Sequence, residues 1–282
     1  MSRIVYVNGA YVPEEEAKVS VFDRAFLFGD AVYEVTAVLE GRLVDFDAHL
    51  SRLDRSLKEI ALDLPMNHEG LREVHDELIA RNKIKEGIVY LEITRGPADR
   101  DFVYPEAPSP TVVAFTQTRA LLDNPYVASG VKVVTIPDIR WKRRDIKSTA
   151  MLAQAMGKQA AKLKGAYEAW MVEDGHVTEG TSSSAFILDA EGVLRTQPLG
   201  PHILPGVTRR AVLRLASQEG LRVEERPFSV EEAYQAREAF LTAASAFVLP
   251  IIEIDGKPIG EGRPGPIAAA FRQLYIDEAR KA

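Results

Sequence analysis

The chain of 282 residues contains no cysteine, which excludes disulfides, thiol catalysis and thiolate metal sites together. It has no basic excess: 35 Lys and Arg stand against 41 Asp and Glu, a formal charge of −6. That balance suits solubility and argues against nucleic-acid binding. Long apolar runs are also missing. No stretch reaches the ~18 residues that a membrane-spanning helix needs, so no membrane association is expected. The longest candidate, 240–252, is broken by Thr242, Ser245 and Pro250 and reads as a buried strand pair or core segment. The first residues turn acidic at Glu14, Glu15 and Glu16 without a continuous apolar region, so secretion is not expected and a cytoplasmic protein is. The five histidines, His49, His68, His75, His176 and His202, show no metal-ligand spacing, and no metal is expected. There is no phosphate-loop lysine motif and no GxGxxG between a strand and a helix. The run Thr181, Ser182, Ser183, Ser184 lacks the GxSxG elbow of a serine hydrolase.

What is present is an ordinary globular composition, 46% hydrophobic and 27% charged, in a chain longer than one core usually supports. Alternating apolar residues around Asn8-Gly9 predict a hairpin over residues 3–12. Leu50, Leu53, Leu57, Ile60, Ala61 and Leu64 recur at helical steps and predict a helix from Asp47 to Leu64, stopped by Pro65. A second helix is expected over 69–82, then strands over 88–96 and 110–118 with a polar, proline-bearing loop between them. Weak periodicity over 119–130 marks a linker between a small N-terminal domain, 1–118, and a larger domain, 131–282. In the latter, a strand (131–136), a helix (149–164), a hairpin pairing 168–172 with 184–188, a helix (208–219), strands near 239–243 and 251–254 and a closing helix (266–280) are expected. Strands and helices mix without regular βαβ alternation, so the fold class is α+β in two domains.

Two turns suit anions. Gly206-Val207-Thr208 stands where a helix begins, so free N–H groups and a hydroxyl converge at its positive end; a threonine so placed is, taken alone, more often a plain N-cap. Glu179-Gly180-Thr181-Ser182 sets a carboxylate beside hydroxyls and a flexible glycine. The basic run Trp141-Lys142-Arg143-Arg144 reads as a solvated face, and Lys147 on spacing alone is one lysine among many.

Seven stretches carry a further signal: DRAFLFGDAVYEV (23–35), HLSRL (49–53), YLEITRG (90–96), DIRWKRRDIKS (138–148), YEAWMVEDGHVTEGTSSSAF (167–186), ILPGVTR (203–209) and FLTAAS (240–245). In order and spacing they resemble the fold-type IV, class IV aminotransferases, which use pyridoxal 5′-phosphate (PLP), and within these the D-amino acid aminotransferases. The resemblance implies a PLP-dependent transaminase that interconverts D-amino acids and 2-oxo acids in two half-reactions, with some tolerance of (R)-amines. It also implies a homodimer with the site at the interdomain cleft and the loop near Arg100 reaching the partner's site. A branched-chain L-amino acid aminotransferase, an (R)-amine transaminase and 4-amino-4-deoxychorismate lyase stand as alternatives on the same scaffold, and a non-catalytic PLP carrier as one of another class.

Position by position, the resemblance makes Lys147 the Schiff-base lysine and proton carrier, a role open to an amine that can be neutral. Glu179 matches the acid beside the pyridine nitrogen, where a carboxylate favours the protonated, more electron-withdrawing ring. Arg52 matches the phosphate-binding arginine, with the N–H groups of Gly206, Val207 and Thr208 completing the cup, and Leu204 lies against the ring. Ser182, Ser183 and Ser245 are further expected cofactor contacts, Ser245 replacing a hydroxyl absent at Ala244. Tyr33 and Arg100 match the substrate carboxylate trap. Phe102 stands where relatives place a histidine, so that position offers an apolar face and no hydrogen-bond donor.

Overall fold

Asn8 (φ 46°) and Gly9 (φ 93°) form the left-handed turn that matches the twist of the strands it joins, β1 (Ile4–Val7) and β2 (Ala10–Pro13). After the short helix α1 (Arg24–Phe28) come β3 (Ala31–Leu39), β4 (Arg42–Leu43), helices α2 (Phe46–Glu59) and α3 (His68–Asn82), and strands β5 (Glu86–Thr94) and β6 (Thr111–Thr118). The six strands form one antiparallel sheet in the order β2-β1-β6-β5-β3-β4. Leu50, Leu53 and Leu57 of α2 and Leu71, Val74 and Leu78 of α3 join Val32, Val89, Leu91 and Ile93 of the strands in one apolar core. The computed structural model describes residues 2–281; this first unit runs to Leu121 and also takes in Ile146–Met151.

Helix α2 ends at Glu59, before the expected Leu64. Ala61 adopts a left-handed conformation (φ 51°), and the N–H groups of Ala61 and Leu62 turn back to the carbonyls of Lys58 and Leu57. This two-bond turn satisfies the last carbonyls and stops the helix ahead of Pro65. Ile60 and Leu64 still pack against the core, which is why their spacing suggested helix.

The second unit, 122–145 and 152–281, contains α4 (Tyr126–Ser129), β7 (Val131–Pro137), α5 (Leu152–Leu163), β8 (Glu168–Glu173), β9 (His176–Gly180), β10 (Ser184–Leu188), β11 (Leu194–Thr196), α6 (Val207–Gln218), β12 (Val223–Glu225), α7 (Val230–Tyr234), β13 (Glu238–Ala243), β14 (Phe247–Ile254), β15 (Lys257–Pro258) and α8 (Pro266–Lys281). Its mixed sheet follows the order β12-β11-β10-β13-β14-β7-β8-β9, with β15 on β14. The hairpin expected between 168–172 and 184–188 is not formed. Asp174 and Gly175, both at positive φ, turn β8 directly into β9, while β10 pairs with β13 and β11. Aspartate-glycine is a strong two-residue hairpin signal, and it overrides the longer connection. The short strip 146–151 leaves the sequence order of the units: it precedes α5 in the chain yet belongs with the first sheet.

Candidate active site

In the first unit, Lys147 lies on an extended strip docked along the start of β3. The Tyr33 N–H donates to the Lys147 carbonyl at 3.0 Å, Val32 and Ser148 form an isolated bridge, and Thr149 N–H donates to the Ala31 carbonyl at 3.1 Å. The Lys147 N–H donates to Ser56 Oγ at 3.3 Å. Ile146, one residue earlier, is buried in the core. The backbone is thus held on both sides, and the half-buried side chain sets its Nζ 4.1 Å from the centre of the Tyr33 ring. Tyr33 itself stacks on Tyr90, and Tyr90 on Phe115.

Arg52 projects from α2 into a buried ionic cluster. Its Nε and Nη2 donate to the two oxygens of Glu34 at 2.8 and 2.7 Å, and His49 Nδ1 lies 2.7 Å from Glu34 Oε2. Burial alone would raise the Glu34 carboxyl; the Arg52 guanidinium and the His49 ring outweigh it and hold the group far below the usual carboxylate range. Burial pushes the His49 ring down, against the pull of Glu34. Sequence reading picked out Arg52 and gave no role to Glu34 or His49, although both stand in matched stretches.

Glu179, in the second unit, owes its placement to a register break. Trp170 pairs with Gly180 and Val172 with Val177, so Met171 alone faces both Thr178 and Glu179. Such an extra residue re-aims side chains and tightens the local twist. The carboxylate is buried. It accepts from Arg140 Nη1 and from the Leu204 backbone N–H at 3.1 Å. Arg140 is shared: its Nε and Nη2 donate to Asp138 at 3.0 and 2.7 Å, and Thr178 Oγ1 donates to the same carboxylate at 2.7 Å. Burial raises the Glu179 carboxyl, and the Arg140 guanidinium offsets only part of that rise. Asp138 and Arg140 are the residues that sequence reasoning missed; their stretch had been matched for Lys147. The basic run is not a solvated face throughout. Arg144 is buried, pairing with Glu173 at 2.7 Å and Asp138 at 3.2 Å, because the acids on its neighbours draw it inward.

The twelve-residue α6 begins after Gly206, whose side none of the neighbouring residues caps. A Cβ at Gly206 would stand 2.8 Å from Ser184 Oγ, so the backbone is left bare there. Thr208 Oγ1 is buried without a hydrogen-bond partner, and Thr242 Oγ1 on β13 is too. An orphaned hydroxyl at an uncapped helix N-terminus fits a phosphate, and a buried carboxylate in the same unit fits a ring nitrogen, so the residues present fit PLP. Leu204 is half-buried between these features in sequence, and Ser245 lies half-buried in the turn joining β13 and β14. The side chains of Ser182 and Ser183 donate to the buried Glu168, at 3.0 and 3.1 Å, alongside Thr181.

Arg100 and Phe102 are exposed on the loop between β5 and β6. Arg100 lies over the rings of Phe28 and Phe102, at 5.5 and 5.7 Å. Among the described residues, no hydrogen bond, ion pair or ring contact joins it to Tyr33.

The family model for class IV amino-transferases matches residues 31–254. The chain is similar to the D-alanine aminotransferase of Bacillus licheniformis, 39% identical over 281 residues, covering 98% of this chain and 99% of that one. It is 37% identical over 274 residues, 96% of each chain, to the D-alanine aminotransferase of Staphylococcus aureus strain MSSA476. Among solved structures it resembles the branched-chain aminotransferase of Thermoproteus uzoniensis crystallised with norvaline, with a TM-score of 0.88 and 30% identity, covering 99% of this chain and 95% of that one. The two-sheet α+β architecture is therefore the fold-type IV one, and with both sequence and fold in agreement the chain belongs to the class IV aminotransferases.

Proposed function

We propose that the protein is a PLP-dependent D-amino acid transaminase working by two half-reactions, moving an amino group from a D-amino acid to a 2-oxo acid. The observation that carries this reading is the pairing, within one unit, of a fully buried and oriented Glu179 with the uncapped start of α6 and its unpartnered Thr208 hydroxyl. An aromatic cation with a phosphate tail needs both. The similarity to D-alanine aminotransferases over nearly the full chain supports the donor class.

When bound, PLP supplies an electron sink for the charge left at the donor's Cα. Lys147 Nζ is the group that would hold it covalently, and the same amine would take up the proton from the donor's Cα. Glu179, fixed by Arg140 and by Leu204 N–H, holds a proton at the ring nitrogen. Arg52 and the N–H groups of Val207 and Thr208 bind the phosphate, while Glu34 keeps Arg52 in one orientation. Leu204 would lie against the ring, and Ser182, Ser183 and Ser245 would be further cofactor contacts. Tyr33 and Arg100 take the donor's α-carboxylate. The apolar ring at Phe102 supports a second activity toward (R)-amines that lack a carboxylate.

A homodimer in the cytoplasm belongs to the same proposal. Its support is the exposed apolar set Leu152, Met156 and Leu163 on α5, a kind of surface that marks association; light scattering at the dimer mass tests it. The test of function is a donor panel on PLP-loaded protein: D-alanine, D-glutamate, L-leucine, (R)-1-phenylethylamine and aminodeoxychorismate, with 2-oxo acid acceptors for the amino-acid and amine donors. Nitrogen transfer from D-alanine is expected. Transfer only from L-leucine, or pyruvate release from aminodeoxychorismate alone, contradicts the reading.

A further inference from the structure

The loop from Pro97 to Ser109 is polar, long and exposed, a composition that ordinarily means mobility. Its built geometry says otherwise. At the neck, Gly96 (φ 88°) runs so close to Ser109 that any side chain there would collide with the Ser109 carbonyl. Further out, Arg24, almost fully buried, extends under the loop and donates from Nη1 to the carbonyls of Asp101 at 2.6 Å and Val103 at 3.4 Å. Tyr104 lies flat on a second buried arginine, with the Arg95 guanidinium 3.6 Å from its ring centre. A single carboxylate oxygen, Asp30 Oδ2, accepts from Arg24 Nε at 2.7 Å and Arg95 Nε at 2.8 Å. Arg95 is anchored at its other end to the carbonyls of Ile60 and Ala61, 2.6 and 3.1 Å away, where the dipole of α2 favours a cation.

Two buried arginines bridged by one aspartate therefore grip the loop at three positions, 101, 103 and 104, on either side of Phe102. We propose that Arg24 and Arg95, joined by Asp30, are positioning residues that hold this loop in one conformation and thereby set the preference for donors with a carboxylate, through Arg100. This rests on the proposed transaminase function and assigns its donor selectivity to residues that touch no donor. Arg100 hangs between the clamped carbonyl of Asp101 and the ring of Phe28, which it shares with Arg24. A guanidinium so confined meets a carboxylate with less freedom to lose than one on a free loop.

The test uses Arg24→Met and Tyr104→Ala, the second removing a ring seat that is half exposed and leaving the buried ion pairs intact should the first fail to fold. Two readouts are taken on the full chain: the tryptic cleavage rate after Arg100, followed by mass spectrometry, and kcat and KM for D-alanine and (R)-1-phenylethylamine. Expected is at least tenfold faster cleavage at Arg100 in both variants, with KM for D-alanine raised about tenfold, kcat within twofold, and the amine unaffected. Unchanged cleavage overturns the clamp. Faster cleavage with an equal loss toward both donors overturns its link to selectivity. A wild type inert toward D-amino acids overturns the transaminase reading and the selectivity claim with it, while the cleavage rates still decide whether the loop is clamped.

Discussion

Two glutamates, one in each unit, are both fully buried and both bound to an arginine, yet their carboxyls are shifted in opposite directions. Glu34 receives two parallel hydrogen bonds from Arg52 and a third contact from His49, and its carboxyl stays ionised far below the usual range. Glu179 receives one guanidinium N–H and a backbone N–H, from an arginine whose other arm belongs to Asp138, and its carboxyl is raised. Burial acts the same way on both; the number of charged donors decides the sign. A permanently ionised carboxylate suits a structural anchor, and a raised one suits a group that must share a proton.

The largest way to break this contrast is Glu179→Gln. It removes the charge that favours a protonated ring, so turnover with D-alanine is expected to fall at least a hundredfold while PLP stays bound; stopped-flow rates and the visible absorbance of bound PLP check both halves. Glu34→Gln acts on the other side. Leaving Arg52 buried with half its partner costs about 3–5 kcal/mol of stability, read by denaturant unfolding, and loosens PLP retention. Rates at saturating PLP are expected to fall far less than in Glu179→Gln.

A pH scan sharpens the picture within the first unit. His75, buried against Phe46 and 2.7 Å from the Leu71 carbonyl, is pushed from 6.5 to about 4 by burial. The unfolded chain then binds this proton first, so stability falls as pH drops from about 6.5 towards 4, by about 3 kcal/mol, and this group contributes no slope above that window. Glu34 has a lowered carboxyl, so its contribution is present above pH 4.5 and is lost only as pH falls below it. Unfolding free energies in His75→Gln are expected to lose the slope between 6.5 and 4 and keep the steeper fall below. The smallest effect is expected for Asp138→Asn: Arg140 keeps Glu179 as partner, so turnover drops by less than tenfold and the loss appears in kcat.

Much of this was legible in the sequence. The leucine spacing of α2 and α3, the Asn8-Gly9 turn and the apolar stretch that became β13 and β14 all stand in the structure, because local pattern and burial agree there. The VTEG stretch was matched for Glu179, but the strand it forms was not foreseen, since the Asp174-Gly175 turn was weighed less than the later serine-rich strand. The bulge opposite Met171 leaves no sequence signature at all; it depends on how two strands meet. Asp138, Arg140 and Glu34 escaped notice for another reason. They act by holding another side chain, and charge pairing at separations of 18 or 39 residues cannot be read from spacing. The loop carrying Arg100 shows the same limit: the arginines that contact it lie outside it, at 24 and 95.

The contrast between the two glutamates is tested most directly by titrating both carboxyls in cofactor-free protein, by carbon-13 NMR of glutamate labelled at the side-chain carboxyl and assigned with Glu34→Gln and Glu179→Gln. The account predicts that Glu34 remains ionised down to the acid unfolding of the first unit, and that Glu179 takes up its proton above 4.5, the ordinary value. A Glu179 resonance that titrates at or below 4.5, or a Glu34 resonance that titrates above it, would contradict the account.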